Sequence, residues 1–180
     1  MAVVDYKNYC KMLDLAKQNH FAYPAINVSS LVTANAALKG LAEAKSDGII
    51  QVSTGAGEFA SGLDVKNTAL GAITIAQHVH LMAEYYNINI ALSTDHCTAA
   101  KLDSFVRPLM EATKERRAKG LPNLFGSHMF DGGELPLDEN MNLAVSLLEE
   151  CAALELILEV EEISKQLASF ISYLKRSDIE

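Results

Sequence analysis

The stretch "INIALSTDHCTAAKLD", residues 88–103, joins a short apolar run to an abrupt polar ending. Residues 88–93 are apolar nearly throughout, which is typical of a parallel strand buried on both faces. An acid, an imidazole and a thiol follow at Asp95, His96 and Cys97. The stretch therefore predicts a buried strand whose end carries chemically useful side chains.

Four more runs of the same kind occur along the 180-residue chain. They are "PAIN" (24–27), "IIQVS" (49–53), "NLFGS" (123–127) and "LILEV" (156–160). Helical patterns lie between them: one is capped by Ser29 or Ser30 and continues to about Ala44, and another covers 102–119, where Pro108 kinks the helix or restarts it.

Two further helices are predicted from apolar spacing. One carries Ile75, Val79, Met82 and Tyr86 at i, i+4, i+7 and i+11. The other is capped by Asp138, and the residues expected to face inward are Met141, Ala144, Leu148 and Cys151.

Alternating strands and helices predict an α/β fold with a parallel sheet and right-handed crossovers. Two architectures fit this order: a five-stranded doubly wound open sheet, and part of a (β/α)8 TIM barrel, which normally needs about 250 residues. The pattern alone does not choose between them.

Composition limits the classes of partner. The net charge of −8 argues against nucleic acid and against an anionic membrane surface, although it allows an anionic substrate. Three widely spaced cysteines suit neither a disulfide framework nor a cysteine-based zinc module. With no secretory signal pattern and no apolar run long enough to span a bilayer, we expect a soluble cytoplasmic protein with reduced thiols.

Polar residues recur at the carboxyl end of each predicted strand, which is where both architectures bind ligands. This shared position predicts a functional rim, although turns also favour Asn, Ser and Asp. The residues are Asn27 and Ser29; Ser53, Thr54 and Gly55; Asp95 and His96; Ser127, His128 and Asp131; and Glu159 and Glu161.

Each rim segment also has a structural explanation. Asp95-His96 fits a helix cap and first turn as well as an acid/base with a metal ligand. Residues 51–59 fit a plain turn as well as a glycine-containing phosphate loop, and His128 fits a buried core histidine. Glu159 and Glu161, which share one strand face, fit a solvated strand end or a metal site.

Together, the segments resemble class II fructose-bisphosphate aldolases, the metal-dependent type, over about residues 4–161. The resemblance is closer to this branch than to the tagatose-bisphosphate one. The matching motifs, in order, are "FAYPAINVSS", "NAALKGLAEAKSDGIIQVSTGAGEF", "NIALSTDHCTAAKLD", "VRPLMEA", "LFGSHMFDGGELPLDEN" and "LILEVE". The resemblance implies a TIM barrel and a lyase of glycolysis and gluconeogenesis. Such an enzyme reversibly cleaves fructose 1,6-bisphosphate to dihydroxyacetone phosphate and glyceraldehyde 3-phosphate.

The resemblance also implies a cofactor and residue roles. Zinc would polarise the ketone and stabilise the enediolate, and a second divalent cation is a further expectation. The roles carried over are general acid/base for Asp95, zinc ligand for His96, substrate contacts for Asn27 and Ser53, and acids of the metal region for Asp131 and Glu161.

Two departures from the family pattern stand out. Ser93 occupies the position of the first histidine in the usual His-Thr-Asp-His-Cys, and "STGAG" changes the order of small residues beside Ser53. After Glu161, the family's mobile loop, two further zinc histidines and glycine-rich phosphate loop are not recognisable. The domain expectation is therefore an N-terminal aldolase-like part, 1–161, and a non-family amphipathic helical tail, 162–180, that covers the sheet.

These departures suggest a truncated, frameshifted or chimeric aldolase with little or no activity. A partial barrel exposes strand edges, which favours homo-oligomers or other self-association. Three hypotheses follow: an aldolase by descent, a non-catalytic half-barrel that serves as a scaffold or interaction module, and a doubly wound domain that binds a phosphate ligand at residues 53–55.

Overall fold

A computed structural model describes residues 3–161. The predicted tail, 162–180, lies outside the described residues. The described part contains a six-stranded sheet in which every pairing is parallel. Its strands are β1 (Ala25–Asn27), β2 (Gly48–Ser53), β3 (Ile90–Asp95), β4 (Cys97–Thr98), β5 (Ser127–Asp131) and β6 (Ile157–Glu161). The predicted α/β class with a parallel sheet is confirmed.

The spatial order of the strands distinguishes the two architectures. β1, β2, β3, β5 and β6 lie side by side in chain order, and the short β4 pairs with β5 on the side where β3 also pairs. A doubly wound sheet reverses its strand order at a switch point, whereas a barrel adds strands in one direction. The sheet is therefore an arc of a (β/α)8 barrel, and the doubly wound alternative is wrong.

A β-bulge interrupts the strand that leads to the polar cluster. Ser93 pairs with Ser127, and Cys97 pairs with Phe130. The chain therefore advances four residues from Ser93 to Cys97, whereas β5 advances three between the same two pairings. The extra residue falls beside His96, whose φ of 33° is uncommon for a residue other than glycine. The bulge separates β3 from β4 and changes the direction of the side chains around it.

Six α-helices accompany the strands in the described part of the chain. They are α1 (Tyr6–Asn19), α2 (Leu31–Glu43), α3 (Thr54–Ala60), α4 (Thr68–Ala83), α5 (Val106–Ala118) and α6 (Leu137–Ala152). The Ser30 side chain caps α2 in a capping box with Thr33. Of the two predicted cap residues, Ser29 and Ser30, the structure therefore uses Ser30. Pro108 is the third residue of α5, where the first turn tolerates proline, so the helix restarts rather than kinks.

Several sequence predictions were wrong in detail. The strand predicted at 123–127 corresponds to β5, which lies four residues further along the chain. The apolar Leu124 and Phe125 suggested the earlier position, because they are fully buried although they do not belong to a strand. The residues after Ser53 form α3 rather than a glycine-containing loop, and α1 was not predicted. Asp138 lies in the first turn of α6 and is not its cap.

The inward face of α6 also differs from the prediction. Met141 is 43 % exposed and Leu148 is 53 % exposed, whereas both were expected to face inward. Ala144 and Cys151 are buried as expected, together with Asn140 and Leu147. The apolar spacing is compatible with two adjacent faces of this helix. The face that packs inward is the one with Ala144, Leu147 and Cys151.

The two faces of the sheet have different surroundings. The outer face packs on α2, α4, α5 and α6 through a large apolar core that includes Ile50, Leu92 and Phe130. On the inner face, Tyr9 of α1 packs near Ala91 at the amino ends of the strands. Helix α1 therefore closes the bottom of the arc, and the carboxyl ends are left to form the site.

Candidate functional site

Five of the predicted site residues lie at the carboxyl ends of neighbouring strands. Asn27 ends β1, Ser53 ends β2, Asp95 ends β3, Asp131 ends β5 and Glu161 ends β6. Ser53 is paired in register with Asp95. The parallel sheet thus brings to one edge residues that are far apart in the chain, as the sequence analysis expected.

Asn27 and Asp95 are in direct contact across the edge. The Asn27 side-chain Nδ2 donates a hydrogen bond of 2.7 Å to Asp95 Oδ2. An amide N–H can donate to a carboxylate oxygen but takes no proton from it. The contact fixes one oxygen of Asp95 and therefore sets the direction in which the carboxylate faces the rim.

His96 contacts the acid at the end of the adjacent strand. Its Nδ1 lies 3.3 Å from Asp131 Oδ2, and half of the His96 side chain is exposed. The Gly133 backbone N–H donates to Asp131 Oδ1 at 3.1 Å, which holds the other carboxylate oxygen. Because successive strand residues normally point to opposite faces, the bulge explains how Asp95 and His96 both reach this edge.

The described rim residues supply part of the donor set of a zinc site. A catalytic zinc normally has three protein ligands. Among residues 3–161, no group of three or more His, Cys, Asp and Glu side chains is arranged to hold a metal ion. His96 and Asp131 supply an adjacent imidazole and carboxylate, so the described residues do not complete a zinc site.

Ser53 has a local structural role at the rim. Its hydroxyl oxygen accepts a hydrogen bond of 3.2 Å from the Ala56 backbone N–H and so caps α3. The next residue, Thr54, accepts a hydrogen bond of 3.2 Å from the Lys101 ammonium. Sequence reasoning missed Lys101, because a lone lysine after "CTAA" carries no motif signal.

His128 lies behind the rim, in the outer core. Its Nδ1 is 3.0 Å from the Thr94 hydroxyl, and its Nε2 is buried without a hydrogen-bond partner among the described residues. Burial lowers the pKa of His128 to about 4, so the ring is neutral at physiological pH. The core alternative for His128 is therefore the one that the structure supports.

Other polar positions have clear surroundings. Ser93 is 1 % exposed, and its hydroxyl donates to the Thr94 carbonyl at 2.9 Å. Glu159 has an exposed side chain, and its charge adds to burial in raising the pKa of Tyr9. Glu161 ends β6 in register with Asp131; its side chain lies outside the described residues.

The comparisons with known proteins agree with this geometry. Residues 7–163 match the family model described as fructose-bisphosphate aldolase class-II. A fructose-bisphosphate aldolase of Mycobacterium leprae is 53 % identical over 161 residues, which cover 89 % of this chain and 47 % of the relative. Fructose-bisphosphate aldolase class 2 of Escherichia coli is 38 % identical over 157 residues, 84 % of this chain and 44 % of the relative.

A solved structure gives the same result at the level of the fold. The crystal structure of fructose-bisphosphate aldolase from Campylobacter jejuni superimposes with a TM-score of 0.83 at 36 % identity, covering 89 % of this chain and 46 % of that one. The chain thus spans about half the length of the curated relatives it matches. Class II aldolases are zinc-dependent in general. Family model, relatives and sheet order together show that the chain belongs to the class II fructose-bisphosphate aldolase family.

Proposed function

We propose that the carboxyl edge of this sheet is the N-terminal part of a fructose-bisphosphate aldolase active site. The substrate would be fructose 1,6-bisphosphate, and the products would be dihydroxyacetone phosphate and glyceraldehyde 3-phosphate. The observation that carries the proposal is the 2.7 Å contact between Asn27 Nδ2 and Asp95 Oδ2 at the strand ends. It presents an oriented carboxylate where barrel enzymes place their catalytic groups.

Asp95 is the proposed general acid/base. In the cleavage direction, its carboxylate accepts the proton of the C4 hydroxyl as the C3–C4 bond breaks and the aldehyde forms. The electron pair of that bond goes to the ketone fragment as an enediolate, which becomes dihydroxyacetone phosphate when its former C3 takes up a proton. In the reverse reaction the Asp95 carboxyl donates its proton to the C4 oxygen as the new bond forms. Asn27 orients Asp95 and lines the substrate site, and Ser53 contacts a phosphate group.

The metal proposals follow the family. His96 is proposed as one zinc ligand, and Asp131 and Glu161 as acids of the metal region that could hold a second divalent cation. The 3.3 Å approach of His96 Nδ1 to Asp131 Oδ2 supports a shared site. Zinc held there would polarise the ketone, although among residues 3–161 no group of three or more donors is arranged to hold a metal ion.

The 180-residue chain by itself is therefore proposed to cleave the substrate slowly or not at all. A coupled cleavage assay with added zinc, with and without chelator, tests this. We expect turnover at least about 1,000-fold below the 1–1,000 s⁻¹ that is typical of enzymes. Zinc-dependent turnover in the ordinary range would show that this proposal is wrong.

The site assignment needs a test that does not depend on turnover. In ¹H–¹⁵N spectra, fructose 1,6-bisphosphate is expected to shift the amide signals of Asn27, Thr54 and Asp95. Asp95→Asn should reduce those shifts, whereas Asp64→Asn, at an exposed loop acid, should leave them unchanged. Shifts confined to other parts of the chain would contradict the assignment.

A second candidate function is a non-catalytic half-barrel that serves as a scaffold or interaction module. It is supported by the edge position of β1 and β6 in the described sheet. Self-association through these edges is proposed as well, because unpaired strand edges can pair with another chain. Light scattering that finds a stable inactive dimer would favour this function, and a monomer across micromolar concentrations would count against it.

A cytoplasmic location is also proposed, without nucleic-acid or membrane partners. All three cysteines, Cys10, Cys97 and Cys151, are free thiols in the structure, which suits a reducing compartment. The net charge of −8 disfavours polyanionic partners. Among the helices described, none has the length and apolar character needed to cross a bilayer.

A further inference from the structure

Helix α6 carries a second apolar stripe on its flank, about 100° around the helix from the residues that face the sheet. Its members are 43 % to 53 % exposed. They follow one another at intervals of four, four and three residues, which places them on one helical face. The outward stripe consists of Leu137, Met141, Val145 and Leu148.

The outward stripe continues into a groove beside the last strand. Leu148 and Ala152 line this groove of about 340 Å³ together with Leu158 of β6 and with Tyr6 and Leu13 of α1. Tyr6 and Leu13 are themselves 42 % and 39 % exposed. The described residues thus leave a contiguous apolar surface beside β6, of the kind that usually marks an interaction site.

The sequence after β6 repeats the spacing of the outward stripe. Ile163, Leu167, Ile171 and Leu174 follow one another at intervals of four, four and three residues. Each set covers about 16 Å if helical, at 1.5 Å per residue. Ile163 comes two residues after Glu161, the end of β6, which suits the short connections of α/β units.

We propose that residues 163–174 of the same chain cover the outward stripe of α6. Helices α2, α4, α5 and α6 pack on the outer face between successive strands, and a segment that follows β6 in the same way lies beside α6 and parallel to it. In that direction Ile163 meets Leu137 and Leu174 meets Leu148. The surface is distinct from the strand edges proposed for self-association.

Charge favours the same direction. Lys175 and Arg176 follow the last apolar residue of the segment. In the parallel arrangement they lie near Glu149, which is exposed at the end of α6, and near Glu150, which already pairs with Arg107 at 3.0 Å. The opposite direction would bring the two cations to Asp138 and Glu139 at the start of α6, but it would require the chain to cross the whole sheet first.

Disulfide trapping in the full chain tests the proposal. In a Cys10→Ser background, Val145→Cys is combined with Ile171→Cys. The matched control combines Ile171→Cys with Leu81→Cys, on the exposed side of α4. We expect the intramolecular disulfide of the first pair to form at least about tenfold faster, because packing raises the effective concentration of the two thiols. Equal rates would overturn the proposal, and purely intermolecular disulfides would assign the surface to a second copy instead.

A measurement without added cysteines gives an independent test. The two variants are Leu148→Gln and its control, Leu15→Gln. In the described part of the chain the two leucines have nearly equal exposed fractions, 53 % for Leu148 and 49 % for Leu15. If residues 163–174 cover Leu148, its substitution lowers the thermal midpoint of the full chain by about 4 °C more than the Leu15 substitution. Equal midpoints for the two variants would refute the proposed cover.

Discussion

Replacing His128 with asparagine should remove much of the acid sensitivity of the fold. His128 is fully buried, and burial lowers the pKa of its ring from 6.5 to about 4. A neutral asparagine cannot bind a proton in the unfolded state, so the variant lacks this source of pH dependence. Its amide can still bond to Thr94, whose hydroxyl lies 3.0 Å from Nδ1 in the native protein.

The sign and size of the effect follow from linkage. Because the folded-state pKa is depressed, the neutral ring contributes stability that is fully present above about pH 6.5 and is lost as pH falls through 4. A difference of about 2.5 pKa units corresponds to about 3 kcal/mol in the free energy of unfolding by pH 4. At pH 7 the variant should be the less stable protein, since it loses packing volume in the core.

Urea unfolding at pH 7, 5 and 4 measures the effect. The stability difference between wild type and His128→Asn should shrink by about 3 kcal/mol between pH 7 and pH 4. His20→Asn is the control: His20 is exposed, and asparagine tolerates its left-handed φ of 56°. If the difference for His128→Asn stays constant across this range, the ring is not held neutral by burial and the reasoning fails.

Two further predictions concern packing and thiol chemistry. Gly71→Ala should lower the unfolding free energy by about 3 kcal/mol in urea denaturation, because the added Cβ would lie 1.8 Å from the Gly57 carbonyl oxygen of α3. The control is Gly40→Ala on α2, where the added Cβ meets nothing within 4 Å. This control should raise the unfolding free energy by up to about 1 kcal/mol. An equal loss for both variants would contradict this. Burial raises the pKa of Cys97 to about 11 and that of Cys151 to about 12, so a disulfide reagent at pH 8 should modify both slowly in the native protein and rapidly in urea. Rapid native modification of either thiol would disprove it.

The α/β class with a parallel sheet and the location of the site were predictable because they depend on patterns that repeat along the chain. Short apolar runs with polar ends predicted strands whose carboxyl ends meet, and the structure does bring Asn27, Ser53, Asp95 and Asp131 to one edge. The choice between barrel and doubly wound sheet depends on which strands become neighbours. That property arises from tertiary packing and leaves no local signal.

The errors have identifiable physical causes. Leu124 and Phe125 are buried and apolar, but they lie before the strand, while β5 contains His128, whose burial no single-residue tendency predicts. The bulge beside His96 arises from one extra residue between two strand pairings, Ser93 with Ser127 and Cys97 with Phe130. The helical state of Thr54–Ala60 was hidden by its two glycines, of which Gly57 is needed for close approach to α4.

The side-by-side order of β1, β2, β3, β5 and β6 also bears on how the protein is made. Each of these strands finds its partner in the one synthesised before it, so the sheet can grow at a single edge as the chain leaves the ribosome. Growth of this kind limits each new pairing to the loop closure of about one βα unit, which costs less entropy than pairing strands that are far apart in the chain. The contact of Tyr9 with Ser127, 118 residues apart, must wait until β5 emerges, and closure of the bottom of the arc by α1 is therefore a late step.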